Sequence, residues 1–188
     1  MKIYIGGLLR AEYSTKDTRW FGSCSPRAYV FVDICKEDSG KTLRVEIVSE
    51  SSYAETVKPI YYGDKAAIWH LYIEGNILPL GITAFVLILS VIVIISCAVV
   101  RIRTKRDVSI FYFGWSMFLL SSWLIAQSDM RQLLFKNISV VGDVAMACST
   151  LFLMPLAMYF NVIFGKRYER ECLTFEILTL LNCIVSNV

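Results

Sequence analysis

The acidic residues that interrupt the apolar half of the chain, together with one proline, are the first places to look for chemistry. An ionisable group among apolar residues is costly to bury, so it is a candidate for a functional role. Asp143 precedes a charge-free segment, where a carboxylate suits the positive end of a helix dipole; a proton relay is the alternative. Glu176 follows Glu171 closely, and we expect it at an interface or in a buried polar contact. Pro155 predicts a kink that could act as a conformational switch or only shape packing.

A second group of candidates lies in the more polar first third of the chain. Trp20, Arg27 and Tyr29, with Phe21 beside them, combine aromatic rings with a guanidinium group. Such a set suits the recognition of a sugar or a carboxylate. In a β-domain the same aromatic residues can instead fill the core, so both interpretations stay open.

Groups that carry nucleophilic or metal chemistry are scarce. The chain has one histidine, His70, and none of its six cysteines forms a Cys-x-x-Cys pair. We therefore expect no catalytic residue, no metal site and no cofactor. Cys24 and Cys35 share the polar part of the chain, where they could form a disulfide outside the cell or remain separate thiols.

Long charge-free segments must position most of these residues. Residues 75–100 contain no charge over 26 positions, and a helix over 77–100 would reach about 36 Å against a hydrocarbon core of about 30 Å. Hydrophobic residues make up 56% of the chain, with a mean hydropathy of +0.55, which favours a membrane protein over a soluble one. We predict transmembrane helices over 77–100, 108–128, 144–165 and 172–188, the last of them incomplete.

Residues 1–66 show the two-residue period of β-strands. "KIYI" and "LLRAEY" flank Gly6-Gly7, "YVFVDI" is a further strand region, "TLRVEIVS" alternates, and "KPIYYGD" is a short last strand that ends in a turn. About five strands are fewer than a two-sheet sandwich needs. We expect a mixed protein: the C-terminal part of an extracellular, jelly-roll-like β-sandwich, a juxtamembrane junction over 67–76, and a helical transmembrane bundle, with the chain truncated at both ends.

The basic residues predict the orientation of the bundle. The segments "RIRTKRD" and "GKRYERE" follow the first and third predicted helices and are richer in Lys and Arg than the loop between the second and third. By the positive-inside rule they are cytoplasmic and the β-domain is extracellular. The net charge of +3 therefore reports orientation in a multi-pass cell-membrane protein, with lipid and not nucleic acid as its partner.

Several segments resemble one family of bacterial receptors. "KIYIGGLLRAEY", "FGSCSPRAYVFVDI", "SGKTLRVEIVS" and "PIYYGDKAAIWHLYI" resemble the end of the extracellular sandwich of seven-helix receptors with diverse intracellular signalling modules. "SIFYFGWSMFLLSSWLIAQSDMRQLLFKN" and "LFLMPLAMYF" resemble their second and third helices. The nearest members are Gram-positive diguanylate cyclases with a GGDEF domain. No GGDEF motif occurs in this sequence, so no catalytic residue is carried over.

The resemblance implies the sensor and membrane part of a receptor that regulates a cytoplasmic diguanylate cyclase. We expect a small molecule or carbohydrate as the extracellular ligand and a homodimer in the full-length protein. The sensor region of a histidine kinase is an alternative output, and a transporter or channel component is the alternative from another class. Transporters show polar or broken helices in repeated pairs, and an outer β-domain has no explanation in that class.

Overall fold

The computed structural model describes residues 1–14, 28–47, 60–105 and 109–187. A small sheet with a short 3-10 helix (Lys36–Asp38) comes first, and α-helices follow it. Strands β1 (Lys2–Ile5), β2 (Leu8–Glu12) and β3 (Leu43–Glu46) are followed by helices α1 (Lys65–Thr104), α2 (Ser109–Gln127), α3 (Arg131–Leu134), α4 (Ile138–Leu151), α5 (Leu153–Ile163) and α6 (Glu169–Asn187).

The sheet has the order β2-β1-β3, with both neighbours antiparallel to β1. Gly6 and Gly7 join β1 to β2 with φ of 56° and 84°, the left-handed values that a type I′ hairpin requires and glycine tolerates. On β1, the side chains of Ile3 and Ile5 are buried. They pair with Val45 and Leu43 of β3.

Two of the predicted strands are wrong. Residues 28–35 are not in a strand, and neither are residues 60–64 at the end of "KPIYYGD". The described part of the chain therefore contains one three-stranded sheet, and a sandwich is not shown. The coarser prediction, a small β part followed by helices suited to a membrane, is confirmed.

Three helical stretches are long and apolar enough to cross a membrane: Lys65–Thr104, Ser109–Gln127 and Ile138–Ile163. Helix α1 begins at Lys65, well before the predicted start at 77. Residues 67–76, expected as a separate junction, belong to this continuous helix. At about 1.5 Å per residue, the 12 residues before position 77 extend it by about 18 Å.

Helix α2 lies at the centre of the bundle, where it packs against α1, α4 and α5, while α6 packs against α4 and α5. The turn after α2 lies beside the N-terminal part of α1, where the Tyr72 hydroxyl donates a hydrogen bond to the Asp129 carbonyl. We call this end of the bundle the sheet side. The other end, where α1 and α5 finish, is the far side.

The third stretch, predicted over 144–165, is helical from Ile138 to Ile163, with one interruption at Phe152, which keeps right-handed helical dihedrals (φ −63°, ψ −23°). Helix α4 ends at Leu151, α5 begins at Leu153, and Phe152 lies between them. A Schellman motif then ends α5: Gly165, at φ 68°, donates to the Val162 carbonyl at 3.2 Å, and Lys166 donates to the Asn161 carbonyl at 2.8 Å. Helix α6 returns from this turn.

Candidate functional site

The contacts between the segment after the sheet and the helices form the best-defined polar and aromatic site in the described part of the chain. We call it the junction. It consists of side chains from the segment 28–34, from the first three turns of α1, and from the turn after α2: Tyr29, Phe31, Trp69, Tyr72, Asp129 and Gln132.

Aromatic rings make the first half of the junction. The Tyr29 and Tyr72 ring centroids are 5.0 Å apart at 75°, an edge-to-face contact. Phe31 stacks on Trp69 with centroids 5.0 Å apart at 12°, and both rings also meet Tyr72 edge-on. Tyr72 is buried. Such pairs contribute about 0.5–1.5 kcal/mol beyond their buried area, so the segment 28–34 is held against α1.

Hydrogen bonds to Gln132 make the second half. The Tyr29 main-chain N–H donates to Gln132 Oε1 at 2.9 Å, and Gln132 Nε2 donates to the Tyr29 carbonyl at 3.2 Å. A side-chain amide thus occupies the donor and the acceptor that a neighbouring strand would use. At Tyr29, the segment "YVFVDI" therefore bonds to a side chain and not to a neighbouring strand.

Asp129 bonds to both Tyr29 and Tyr72 and so links the segment 28–34, α1 and the turn after α2. Its carboxylate Oδ2 accepts a hydrogen bond from the Tyr29 hydroxyl at 3.1 Å, and its carbonyl accepts one from the Tyr72 hydroxyl. A displacement of α1 relative to the turn after α2 must therefore disturb the hydrogen bonds of Tyr29 as well. The arrangement can transmit a mechanical displacement, and it needs no reactive group to do so.

Arg131 lies in the same turn, and its charge acts on Tyr13, the residue that follows β2. It is buried, and its Nη1 donates to the Ala126 carbonyl at 3.2 Å near the end of α2. Burial raises the pKa of the Tyr13 phenol above its usual value, and the charge of Arg131 opposes that shift. Tyr13 is tied to the start of β1 by two main-chain bonds to Met1 at 2.8 Å. The charge of Arg131 is therefore felt at the edge of the sheet.

A second polar cluster organises the sheet itself around Asp38. Its carboxylate accepts from Arg10 Nη2 at 2.9 Å and 3.2 Å, from Lys41 Nζ at 3.1 Å and from the Cys35 N–H at 3.1 Å. The Cys35 hydrogen bond is the largest cause that lowers the pKa of Asp38, followed by the hydrogen bond from Lys41. Arg10 is the extra residue of a β-bulge in β2, which aims it at this carboxylate.

Of the three predicted ligand residues, the structure describes one. Tyr29 lies in the junction, bonded to Asp129 and Gln132 and packed on Tyr72. Trp20 and Arg27 lie outside the described residues, as does Cys24. Cys35 is an exposed free thiol.

Asp143 does not open its helix, and the expectation that it caps the N-terminus is wrong. Helix α4 begins at Ile138, and the Asn137 side chain accepts from the N–H groups of Ser139 and Val140 at 3.2 Å and 3.4 Å. Asp143 lies more than one turn inside. Its Oδ2 is buried and has no hydrogen-bond partner among the described residues.

Pro155 and Glu176 lie on different helices. Pro155 is in the first turn of α5, three residues after the break at Phe152. Glu176 is two turns into α6, which starts at Glu169, and its Oε1 is buried without a hydrogen-bond partner in the described ranges. Among the described residues, no hydrogen bond or ion pair joins Asp143, Pro155 and Glu176 into one site.

The junction partners in the turn after α2 were missed from the sequence. Asp129 and Gln132 lie in a polar loop of ordinary composition, about 100 positions from Tyr29 in the chain. No local pattern in the sequence marks them as partners of Tyr29.

Comparisons with known proteins give no further information: no family model, no curated protein and no solved structure matches this chain.

Proposed function

We propose that this chain is the sensor and membrane part of a signal-transducing receptor, with the sheet side outside the cell. One observation carries the proposal. At the junction, Tyr29 is bonded to the turn after α2 and packed on Tyr72 of α1, and α1 runs without a break from Lys65 to Thr104. A movement of the segment 28–34 would therefore be passed to two long helices at once.

The charges at the far side support the same orientation. Arg101, Arg103 and Lys105 end α1, and Lys166, Arg167 and Arg170 surround the turn between α5 and α6; all six are exposed. Because short loops rich in Lys and Arg stay in the cytoplasm, this pattern favours a cytoplasmic far side in the cell membrane.

The output rests on the resemblance alone. In the receptor family, the sensor and helices would regulate a cytoplasmic diguanylate cyclase, and the sheet would belong to a larger jelly-roll-like sandwich in a homodimer. The ligand would be a small molecule or a carbohydrate bound to the β part, with Trp20, Arg27 and Tyr29 as the residues proposed from the sequence. The chain itself would carry no catalytic activity.

The experiment uses the gene at its natural locus and changes the start of α1. In one variant, Asp64–Ala67 is replaced by a longer Gly/Ser spacer, which behaves as a flexible coil. In the matched control the same four residues are replaced by alanine, the best helix former. Cellular cyclic di-GMP is then measured in the wild type, both variants and a deletion strain.

We expect the spacer variant to resemble the deletion strain and the alanine control to resemble the wild type, at equal membrane levels of protein. A spacer variant that behaves like the wild type would contradict the mechanical coupling through α1. If the deletion itself leaves cyclic di-GMP unchanged, the assignment of a diguanylate cyclase output is wrong.

A further inference from the structure

The break in the third apolar stretch has a local cause. Pro155 has no N–H to donate to the Leu151 carbonyl four residues earlier, and its ring collides with that carbonyl in a regular helix. The result is an interruption of the helix at Phe152: its backbone stays right-handed helical (φ −63°, ψ −23°) and its N–H still bonds to the Cys148 carbonyl at 3.1 Å, so the break is a weakened point in one helical stretch. Proline is one of the few residues that place a sharp kink in a helix, so the direction of the chain after Phe152 depends on what contacts this point.

A serine of the central helix holds the break. The Ser116 hydroxyl donates to the Phe152 carbonyl at 3.1 Å, and Ser116 is only 3% exposed. Ser121, on the same helix and 2% exposed, behaves differently, since it bonds to the Met117 carbonyl of its own helix at 2.7 Å. Ser116 is thus a contact between helices at the one place where the third stretch is interrupted.

The same level of α2 is in tight contact with α1. A Cβ added to Gly114 would lie 3.1 Å from Ile94 Cγ1 and 3.2 Å from Val93 Cγ1, closer than side chains normally approach. On the α5 side, the rings of Phe113 and Tyr159 are 5.2 Å apart. Gly114 and Ser116 are separated by about 3 Å along the helix axis, so α1 and the break contact neighbouring positions of α2.

We infer that the third stretch is a hinge at Phe152 whose bend is set by Ser116, and that α2 passes displacements of α1 to α5. The hinge and its serine stand on the geometry above. The source of the displacement, a change at the junction, rests on the proposed function.

The bend is measured by the position of the far end of α5. From Phe152 to Ile163 the helix is about 16 Å long, so a change of 20° in the bend moves Ile163 by about 6 Å.

Spin labels on cysteines at Ile102 and Ile163, both exposed, report this movement as a distance distribution. The protein is the full chain with its native cysteines replaced, in lipid nanodiscs. Labels at Leu78 and Val144, also exposed, report the sheet side of the break as a control.

Pro155→Ala should shift the Ile102–Ile163 distance by several ångströms and leave the Leu78–Val144 distance unchanged. Ser116→Ala should shift or broaden the first distribution by about 3 Å or more, whereas Ser121→Ala, an equally buried serine on the same helix, should not. An unchanged distribution in Pro155→Ala would overturn the hinge. Equal effects of the two serine variants, or none, would overturn the role of Ser116.

A separate variant tests whether displacements pass from the junction to the hinge. Tyr72→Phe removes the hydroxyl that bonds to Asp129 and should also shift the Ile102–Ile163 distribution. If it does not, while Ser116→Ala does, the hinge exists but does not receive displacements from the junction. These distances need no signalling output, so a failed cyclic di-GMP experiment would not be confused with a failed hinge.

Discussion

Removal of the Gln132 amide should release the segment that begins at Tyr29. Gln132 makes two hydrogen bonds to the main chain of Tyr29, at 2.9 Å and 3.2 Å. Each such bond has a net worth of about 1 kcal/mol, so Gln132→Ala should lower the free energy of local opening by about 2 kcal/mol. Because about 1.4 kcal/mol corresponds to a factor of ten, amide exchange at Tyr29 should become about 25-fold faster.

The assay is hydrogen exchange followed by mass spectrometry on the full chain in detergent or nanodiscs. Gln132→Glu keeps an acceptor for the Tyr29 N–H but loses the donor to its carbonyl, so its effect should be smaller. Gln127→Ala makes the same substitution at an exposed residue at the end of α2 and should leave Tyr29 unchanged. Equal exchange at Tyr29 in the wild type and in Gln132→Ala would refute the reasoning, and equal acceleration by Gln127→Ala would show that the effect is not local.

Three further predictions concern packing, pH and capping. Gly114→Ala should lower thermal stability by about 1–3 kcal/mol, because its Cβ would meet Ile94 and Val93 at 3.1–3.2 Å; Gly81→Ala, with nothing within 4 Å, should be neutral or stabilising. The lowered pKa of Asp38 means that its carboxylate stabilises the sheet above the unfolded pKa of about 3.9 and that this contribution is lost as the pH falls through the lower folded value. The protection factor of the β1 amides, which corrects the exchange rate for its intrinsic pH dependence, should therefore fall on acidification in the wild type but lack this component in Asp38→Asn. Asn137→Ala should cost about 1 kcal/mol of helix stability, whereas Asn137→Ser should keep most of it, as thermal unfolding followed by circular dichroism can measure.

The sequence was most informative where one local pattern decides the structure. The charge-free segments predict the long helices because burying a charge in a membrane is costly. Gly6-Gly7 predicts the hairpin because both residues need positive φ. The alternation of Leu43 and Val45 predicts β3, which pairs with β1 in the expected way.

The features that the sequence did not predict depend on contacts between residues that are distant in the chain. The residue types of "YVFVDI" suit a strand, but Gln132, 103 positions away, takes the main-chain bonds of Tyr29 that a neighbouring strand would use. Residues 65–76 contain no long apolar run, so the early start of α1 was not visible in hydropathy. Arg10 and Asp38 are 28 positions apart and meet only because a bulge reorients Arg10.

The contact of Ser116 within the bundle could not be predicted from the sequence for the same reason. A serine in an apolar helix most often bonds to its own helix, as Ser121 does, and nothing in the sequence distinguishes the two. Pro155 marked the region of the break, but the residue that holds the break lies on another helix.

The most direct test of the receptor proposal is the side of the membrane on which the sheet lies. Single cysteines at Ser39, in the exposed turn before β3, and at Thr104, the last residue of α1, are introduced into the full chain after its native cysteines are replaced. Intact cells are treated with a membrane-impermeant thiol reagent, with permeabilised cells as the control. The proposal predicts labelling at position 39 in intact cells and at position 104 only after permeabilisation. Labelling at 104 and not at 39 in intact cells would contradict it.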